Sequence, residues 1–111
     1  VPIMLNHVNS GKLTLEKLVN LWSYGPERIH RIHNKGRISL GYDADFTIVD
    51  MNKEMTITNS QQKSRTGWTP YDGMKVKGWP LNTINRGNIV MREDELLEPI
   101  GKEIQFKETL L

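Results

Sequence analysis

The chain has 111 residues, of which 37% are apolar and 25% charged, and it contains no cysteine. This length supports one hydrophobic core, and the lack of cysteine excludes disulfides, thiolate nucleophiles and cysteine-ligated zinc. No apolar run approaches the ~20 residues of a membrane helix, and we expect a soluble, cytoplasmic protein without a membrane partner. The 15 basic residues are scattered among 13 acidic ones, a distribution that does not favour nucleic-acid binding.

Residues 1–33 are predicted to form three short helices. The first ends at the turn signal of residues 9–11, and its apolar face consists of Ile3, Met4, His7 and Val8. The second has the clearest helical period, with apolar residues at i, i+3, i+4 and i+7, namely Leu15, Leu18, Val19 and Trp22. Thr14 is placed to cap it. We expect Gly25 to end this helix and Pro26 to begin a third, whose apolar face is Ile29 and Ile32.

From Gly36 onward the apolar period falls to 2, which is typical of strands. The alternating pairs are Ile38 and Leu40, Phe46 and Ile48, Met55 and Ile57, and Met74 and Val76. A hairpin is predicted between strands at Thr83–Arg86 and Ile89–Arg92, with Gly87-Asn88 as its two-residue loop. A last strand is expected around Glu103–Lys107. Helices followed by strands indicate an α+β fold.

The stretch KGRISLGYDADFTIVD, residues 35–50, places two aspartates directly before an apolar run. Asp43 and Asp45 could form an acid/base pair or a metal site, but either requires further groups at the same point. Aspartate is also common in turns, where its side chain hydrogen-bonds to nearby backbone groups. We interpret the two residues as a structural corner between strands.

The remaining candidates for chemistry are equally isolated. His30 and His33 could share a helix face, but zinc needs three or four protein ligands and no further ligand motif is present. His7 is interpreted as a partly buried packing residue. The long polar segment 59–73 contains Lys63, Arg65, Trp68 and Tyr71. These side chains could stack on nucleic-acid bases, but we favour anchoring of the segment against a neighbouring surface.

Taken in order, three segments resemble the carboxyl-terminal end of the cyclic amidohydrolases. They are LTLEKLVNLWSYGPERIHRI, KGRISLGYDADFTIVD and TGWTPYDGMKVKGWPLNTINRGNIVMR, and together they cover most of the chain. The Gly-Asp-Ala-Asp region is common to the superfamily. The GWTPYDGMKV and NRGNIVM segments are most similar to dihydroorotases of the bacterial class I type, and allantoinases and dihydropyrimidinases share the layout.

This resemblance implies a fold and a division of the chain. In the family, a (β/α)8 barrel is joined to a small β-sandwich built from both chain ends. Residues 1–33 would be terminal helices of the barrel domain, and residues 34–111 the carboxyl-terminal segment of the sandwich domain. A barrel needs ~250 residues. Since the sequence also begins within an apolar segment at Val1, we expect it to be a fragment of a longer protein.

The resemblance also implies a chemistry that this chain does not carry. The family binds zinc through histidines and a modified lysine, and an aspartate after the eighth barrel strand acts on the attacking water. None of those motifs occurs here. We therefore assign no catalytic, cofactor-binding or metal-binding residue to this chain, and expect zinc only in the parent enzyme.

The expected function is that of a dihydroorotase, which interconverts dihydroorotate and N-carbamoyl-aspartate in pyrimidine biosynthesis, with this chain as structural support. The expected partners are the amino-terminal barrel of the same protein, a small cyclic amide substrate for the parent and, through the exposed helix face, a second copy. Three alternatives remain. They are another cyclic amidohydrolase, a non-catalytic scaffold for aspartate carbamoyltransferase, and a self-standing interaction domain rich in strands.

Overall fold

The computed structural model describes residues 1–107, and the predicted order of helices followed by strands is confirmed. The helices are α1 (Pro2–Asn9), α2 (Leu15–Val19) and α3 (Gly25–His30). The strands are β1 (Phe46–Thr56), β2 (Lys75–Asn85), β3 (Asn88–Arg92) and β4 (Glu95–Leu96). They form one antiparallel sheet in the order β1-β2-β3-β4.

The second and third helices are one helical segment, and the prediction that Gly25 ends a helix is wrong. A π-helical turn, Asn20–Tyr24, connects α2 to α3 while the backbone of Gly25 stays right-handed. Pro26 has no amide hydrogen, and one widened turn accommodates it without breaking the segment. Glycine is needed because a Cβ at position 25 would lie 2.6 Å from the Asn20 carbonyl oxygen. Thr14 does cap α2, accepting a hydrogen bond from the Lys17 amide at 3.1 Å.

Two strands that were predicted separately are one long strand, β1, which contains both Phe46 and Met55. The register shifts between Asp50 and Glu54. The Asp50 carboxylate accepts hydrogen bonds from the amides of Asn52 and Lys53 at 2.8 and 3.2 Å, which bends the chain out of the ladder for a few residues. Such a bulge changes the side-chain phase within a strand, and this made one strand resemble two.

The hairpin between β2 and β3 is confirmed, but its loop lies one residue earlier than predicted. Asn85 pairs with Asn88, which leaves Arg86 and Gly87 as the turn. Their φ angles are 44° and 79°, as a tight hairpin turn with two left-handed residues requires. A second turn of this kind, Glu93-Asp94, leads into β4, which the sequence analysis did not predict.

Of two other predicted strands, one is absent and the other is reduced to a single bridge. Ile38 and Leu40 lie in an irregular loop with 87% and 101% of their surface exposed. Residues 35–45 form no strand and are held by isolated backbone and side-chain hydrogen bonds. In the expected strand at Glu103–Lys107, only Phe106 forms a bridge, with Ile32.

The core lies where α1 crosses the sheet. Ile57, Val76 and Trp79 are buried there, with Ile3 packed on them. The chain contains no helix within residues 1–107 that is both long and apolar enough to cross a bilayer.

Polar contacts fix the position of α1. The Asn9 amide group donates to the carbonyl oxygens of Met51 and Lys77 at 2.9 and 2.7 Å, and the Asn6 side-chain oxygen accepts from the Lys77 amide at 3.0 Å. These bonds join the helix to both long strands. They therefore set the angle at which the helical half meets the sheet.

Candidate functional site

A groove of about 640 Å³ separates the helical segment from the sheet and the loop of residues 35–45. Its apolar wall includes Leu15, Val19 and Trp22 from the helices and Phe46 and Val49 from β1. The three helical side chains remain 44 to 53% exposed. Of the helix face predicted to be apolar, only Leu18 is fully buried, with 1% exposed. The groove is thus an open apolar surface.

The aspartates of the opening stretch lie at the polar end of this groove and pair with one lysine. The Lys35 ammonium contacts an Asp43 oxygen at 2.9 Å and an Asp45 oxygen at 2.5 Å. The other Asp45 oxygen accepts the Arg86 amide at 2.8 Å. The neighbouring Gly87 amide donates to the Ala44 carbonyl at 2.9 Å. Asp45 thus fastens the loop of residues 35–45 to the β2–β3 turn, whereas Asp43 pairs with Lys35 within the loop. Both aspartates have structural contacts, but no strand of the described chain precedes them and Asp45 bonds to the distant Arg86 amide, unlike the expected local turn between strands.

The charges at this corner are mutually stabilised. Partial burial acts to raise the pKa of Asp45, but hydrogen bonds from Lys35 and the Arg86 amide outweigh it and hold that pKa below its usual value. Burial acts to lower the pKa of Lys35, and the two aspartates overcome it and raise that pKa. Both shifts favour the charged forms. A general base or acid needs its pKa moved towards neutrality, and these shifts go the other way.

A second charged cluster surrounds Glu27, which the sequence analysis missed. Its side chain is 2% exposed and contacts Arg37 at 3.2 Å and Lys107 at 2.6 Å. The Arg37 guanidinium also stacks on the Tyr24 ring, 4.5 Å from its centroid. Gly36 allows this approach, since a Cβ there would lie 2.7 Å from the Glu27 Cβ. The only sequence signal was a glutamate two residues from the apolar face position Ile29.

The histidines do not converge. His30 ends α3, and the left-handed residue Arg31 then turns the chain, leaving His33 outside the helix. His7 is half-buried on α1, as expected. Residues 1–107 include no group of three or more histidine, aspartate or glutamate side chains able to hold a metal. The side chains present do not fit the zinc centre that the resemblance implies.

The segment of residues 59–73 is an ordered projection from the sheet. The Asn59 side chain accepts the Thr69 amide at 2.8 Å, and Asp72 accepts the Asn59 amide at 2.7 Å. Trp68 and Tyr71 are 60% and 47% exposed. Neither is anchored on another surface within the described chain. The predicted anchoring stays a prediction.

Comparison with known proteins identifies the family. The model of the amidohydrolase family matches residues 2–90. The dihydroorotase of Pyrococcus furiosus is 47% identical over 108 residues, which are 96% of this chain and 26% of that protein. The dihydroorotase of Pyrococcus abyssi is 49% identical over 94% of this chain and 26% of its own length. The chain therefore spans about a quarter of these relatives.

The fold agrees with a solved relative. The L-hydantoinase (dihydropyrimidinase) from Arthrobacter aurescens superposes with a TM-score of 0.83 at 36% identity, covering 88% of this chain and 22% of that one. The helices, the antiparallel sheet and their mutual arrangement are thus shared with an enzyme of the same family. The chain belongs to the amidohydrolase family.

Proposed function

We propose that the protein to which this chain belongs is a dihydroorotase, which hydrolyses the cyclic amide of dihydroorotate or closes N-carbamoyl-aspartate in the reverse direction. The observation that carries this proposal is the 47 to 49% identity to two dihydroorotases across at least 94% of the chain. Zinc and the catalytic residues belong, in this proposal, to the remaining three quarters of the protein. The cytoplasm is the proposed location.

The role of this chain is structural support. Residues 1–33 serve as terminal helices of the barrel domain and residues 34–111 as part of the sandwich domain. The open groove supports this assignment, because Leu15, Val19 and Trp22 expose an apolar face that a folded protein normally covers. Ile38 and Leu40, also exposed, extend the apolar surface along the loop of residues 35–45. The rest of the same protein is the proposed cover.

One alternative substrate class has specific support. The superposition on an L-hydantoinase, with a TM-score of 0.83, favours a related cyclic amidohydrolase that opens hydantoin or dihydropyrimidine rings. Both substrate classes contain a cyclic amide, and the residues that distinguish them lie outside this chain in our proposal. Activity on purified substrates is therefore the discriminating measurement.

The test uses the full-length protein, loaded with zinc and assayed with dihydroorotate, hydantoin and dihydrouracil. Hydrolysis of dihydroorotate with the highest kcat/KM supports the proposal. Preference for hydantoin or dihydrouracil transfers the assignment to the alternative class. A protein that binds no zinc and hydrolyses none of them would contradict both, and would favour the scaffold reading, which binding to aspartate carbamoyltransferase would then test.

A further inference from the structure

Three segments that are distant in sequence meet at the Glu27 carboxylate. Glu27 lies on α3, Arg37 on the loop of residues 35–45, and Lys107 at the end of the described chain. The two carboxylate oxygens accept one hydrogen bond each, Oε2 from Arg37 at 3.2 Å and Oε1 from Lys107 at 2.6 Å. Glu27 is therefore the point at which the carboxyl-terminal segment is fastened to the helical half.

The backbone of that segment makes few other attachments. The His33 amide donates to the Gln105 carbonyl at 2.8 Å, and the Lys107 amide donates to the Arg31 carbonyl at 2.7 Å. Phe106 bridges Ile32 between them. All residues from 101 to 107 are exposed, Phe106 with 58% of its surface. Within residues 1–107 this segment has two backbone hydrogen bonds to the helical half and no buried side chain, and such a segment opens at low free energy.

Glu27 and Ile32, to which the segment attaches, also line the groove, although residues 101–107 are not among those that line it. Within residues 1–107, detachment would leave Arg37 as the cation paired with Glu27 and would expose the backbone at residues 31–33. The contacts between β1 and β2 involve none of these residues.

We propose that residues 103–107 form a releasable strap, which stays attached to the helical half while Lys107 is paired with Glu27 and detaches when that pair is broken. The strap is a conformational device of the fold and is independent of which cyclic amide the protein acts on. Because the Lys107 side chain is 47% exposed, dissolved salt screens its attraction to Glu27. High ionic strength therefore loosens the strap.

Hydrogen exchange of the full-length protein, followed by mass spectrometry, tests the strap. The variant Lys107→Met removes the ammonium and keeps the aliphatic stem. We expect amides in peptides covering residues 31–33 and 103–107 to exchange at least tenfold faster in this variant, and faster in wild type at 1 M salt. Peptides from β1 and β2 should keep the wild-type rate. Lys107→Arg should restore slow exchange.

The matched control is Lys102→Met, which removes an exposed lysine directly before the strap that makes no ion pair within the described chain. It should exchange like wild type. Wild-type exchange in Lys107→Met would overturn the proposal, because the ion pair would then not hold the segment. Equal acceleration in the strap and in β1–β2 would overturn it too, since the opening would be global.

Discussion

Asp45 and Glu27 each connect parts of the chain that are far apart in sequence. Asp45 joins Lys35 to the β2–β3 turn, and Glu27 joins Arg37 to Lys107. Carboxylates that accept several hydrogen bonds are held in the charged form and order the segments around them. At the scale of single residues, Asp45 and Glu27 therefore connect and order distant segments of the chain.

The Asp45→Asn variant should lower the free energy of unfolding by about 1 kcal/mol, because it weakens two hydrogen bonds to a partly exposed carboxylate. Asp43→Asn is the matched control. It affects one ion pair with the same lysine, and we expect a change below about 0.5 kcal/mol. Denaturant unfolding of the full-length protein measures both. A larger loss in Asp43→Asn than in Asp45→Asn would contradict the assignment of Asp45 as the main fastener.

The contribution of Glu27 should depend on pH. The Lys107 hydrogen bond holds the pKa of Glu27 below its ordinary value of 4.5, with burial opposing and Arg37 assisting. The stabilisation is therefore complete above pH 4.5 and is lost as the pH falls through the lower pKa of the folded state. The Tyr24 ring and the Arg28 guanidinium also lie beside this cluster.

Glu27→Gln tests this dependence. The variant should be less stable than wild type at pH 7, and the difference should shrink as the pH falls below 4.5, because wild type then also loses the charge. Thermal unfolding between pH 3 and 7 measures the two curves. A constant difference across this range would show that the ionised carboxylate of Glu27 does not stabilise the fold.

At the scale of elements, the contact between α1 and β2 depends on a glycine. Gly78 has a φ of 105°, and a Cβ at this position would lie 2.7 Å from the Leu5 Cβ. Gly78→Ala should therefore destabilise by about 2 kcal/mol or more, through backbone strain together with a steric clash. Gly73→Ala is the control, since Gly73 has a similar φ of 81° and open space around it.

Thermal unfolding of the two variants separates the effects. Gly73→Ala should cost only the left-handed backbone strain, about 1 kcal/mol. The excess loss in Gly78→Ala then measures the close approach of α1. Equal losses in both variants would mean that α1 shifts without cost and that its position on β2 is not fixed by this contact.

The types and order of most elements can be predicted from hydrophobic periodicity, but the irregular turns and bulges within and between them cannot. The capped start of α2 and the β2–β3 hairpin are local patterns, which a sequence window captures. The π turn before Pro26 and the bulge after Asp50 change the side-chain periodicity within an element. The helix and strand boundaries predicted there were therefore wrong. A structural role for Asp43 and Asp45 was predicted from turn chemistry, but their ion pairs with Lys35 were not. Glu27 was missed because its partners lie 10 and 80 positions away.

At the scale of the whole molecule, the groove is the feature that supports our proposal of a longer protein. The chain spans about a quarter of its dihydroorotase relatives, and the exposed side chains of Val1, Leu15, Val19, Trp22 and Ile38 line one groove between helices and sheet. Apolar side chains that are exposed in a fragment are normally buried in the complete protein. The central claim is that the remainder of the protein covers this groove while it supplies the chemistry.

The most direct test is the thermal unfolding of the full-length Val19→Asp variant. Val19 lines the groove and is 53% exposed in this chain, so a new carboxylate there is tolerated unless another part of the protein covers it. The control Lys17→Asp puts the same group on an exposed position of α2 outside the groove. Our account predicts that Val19→Asp lowers the free energy of unfolding by about 3 kcal/mol. For Lys17→Asp, the free energy of unfolding should stay within about 0.5 kcal/mol of the wild-type value. Wild-type stability of Val19→Asp would contradict it.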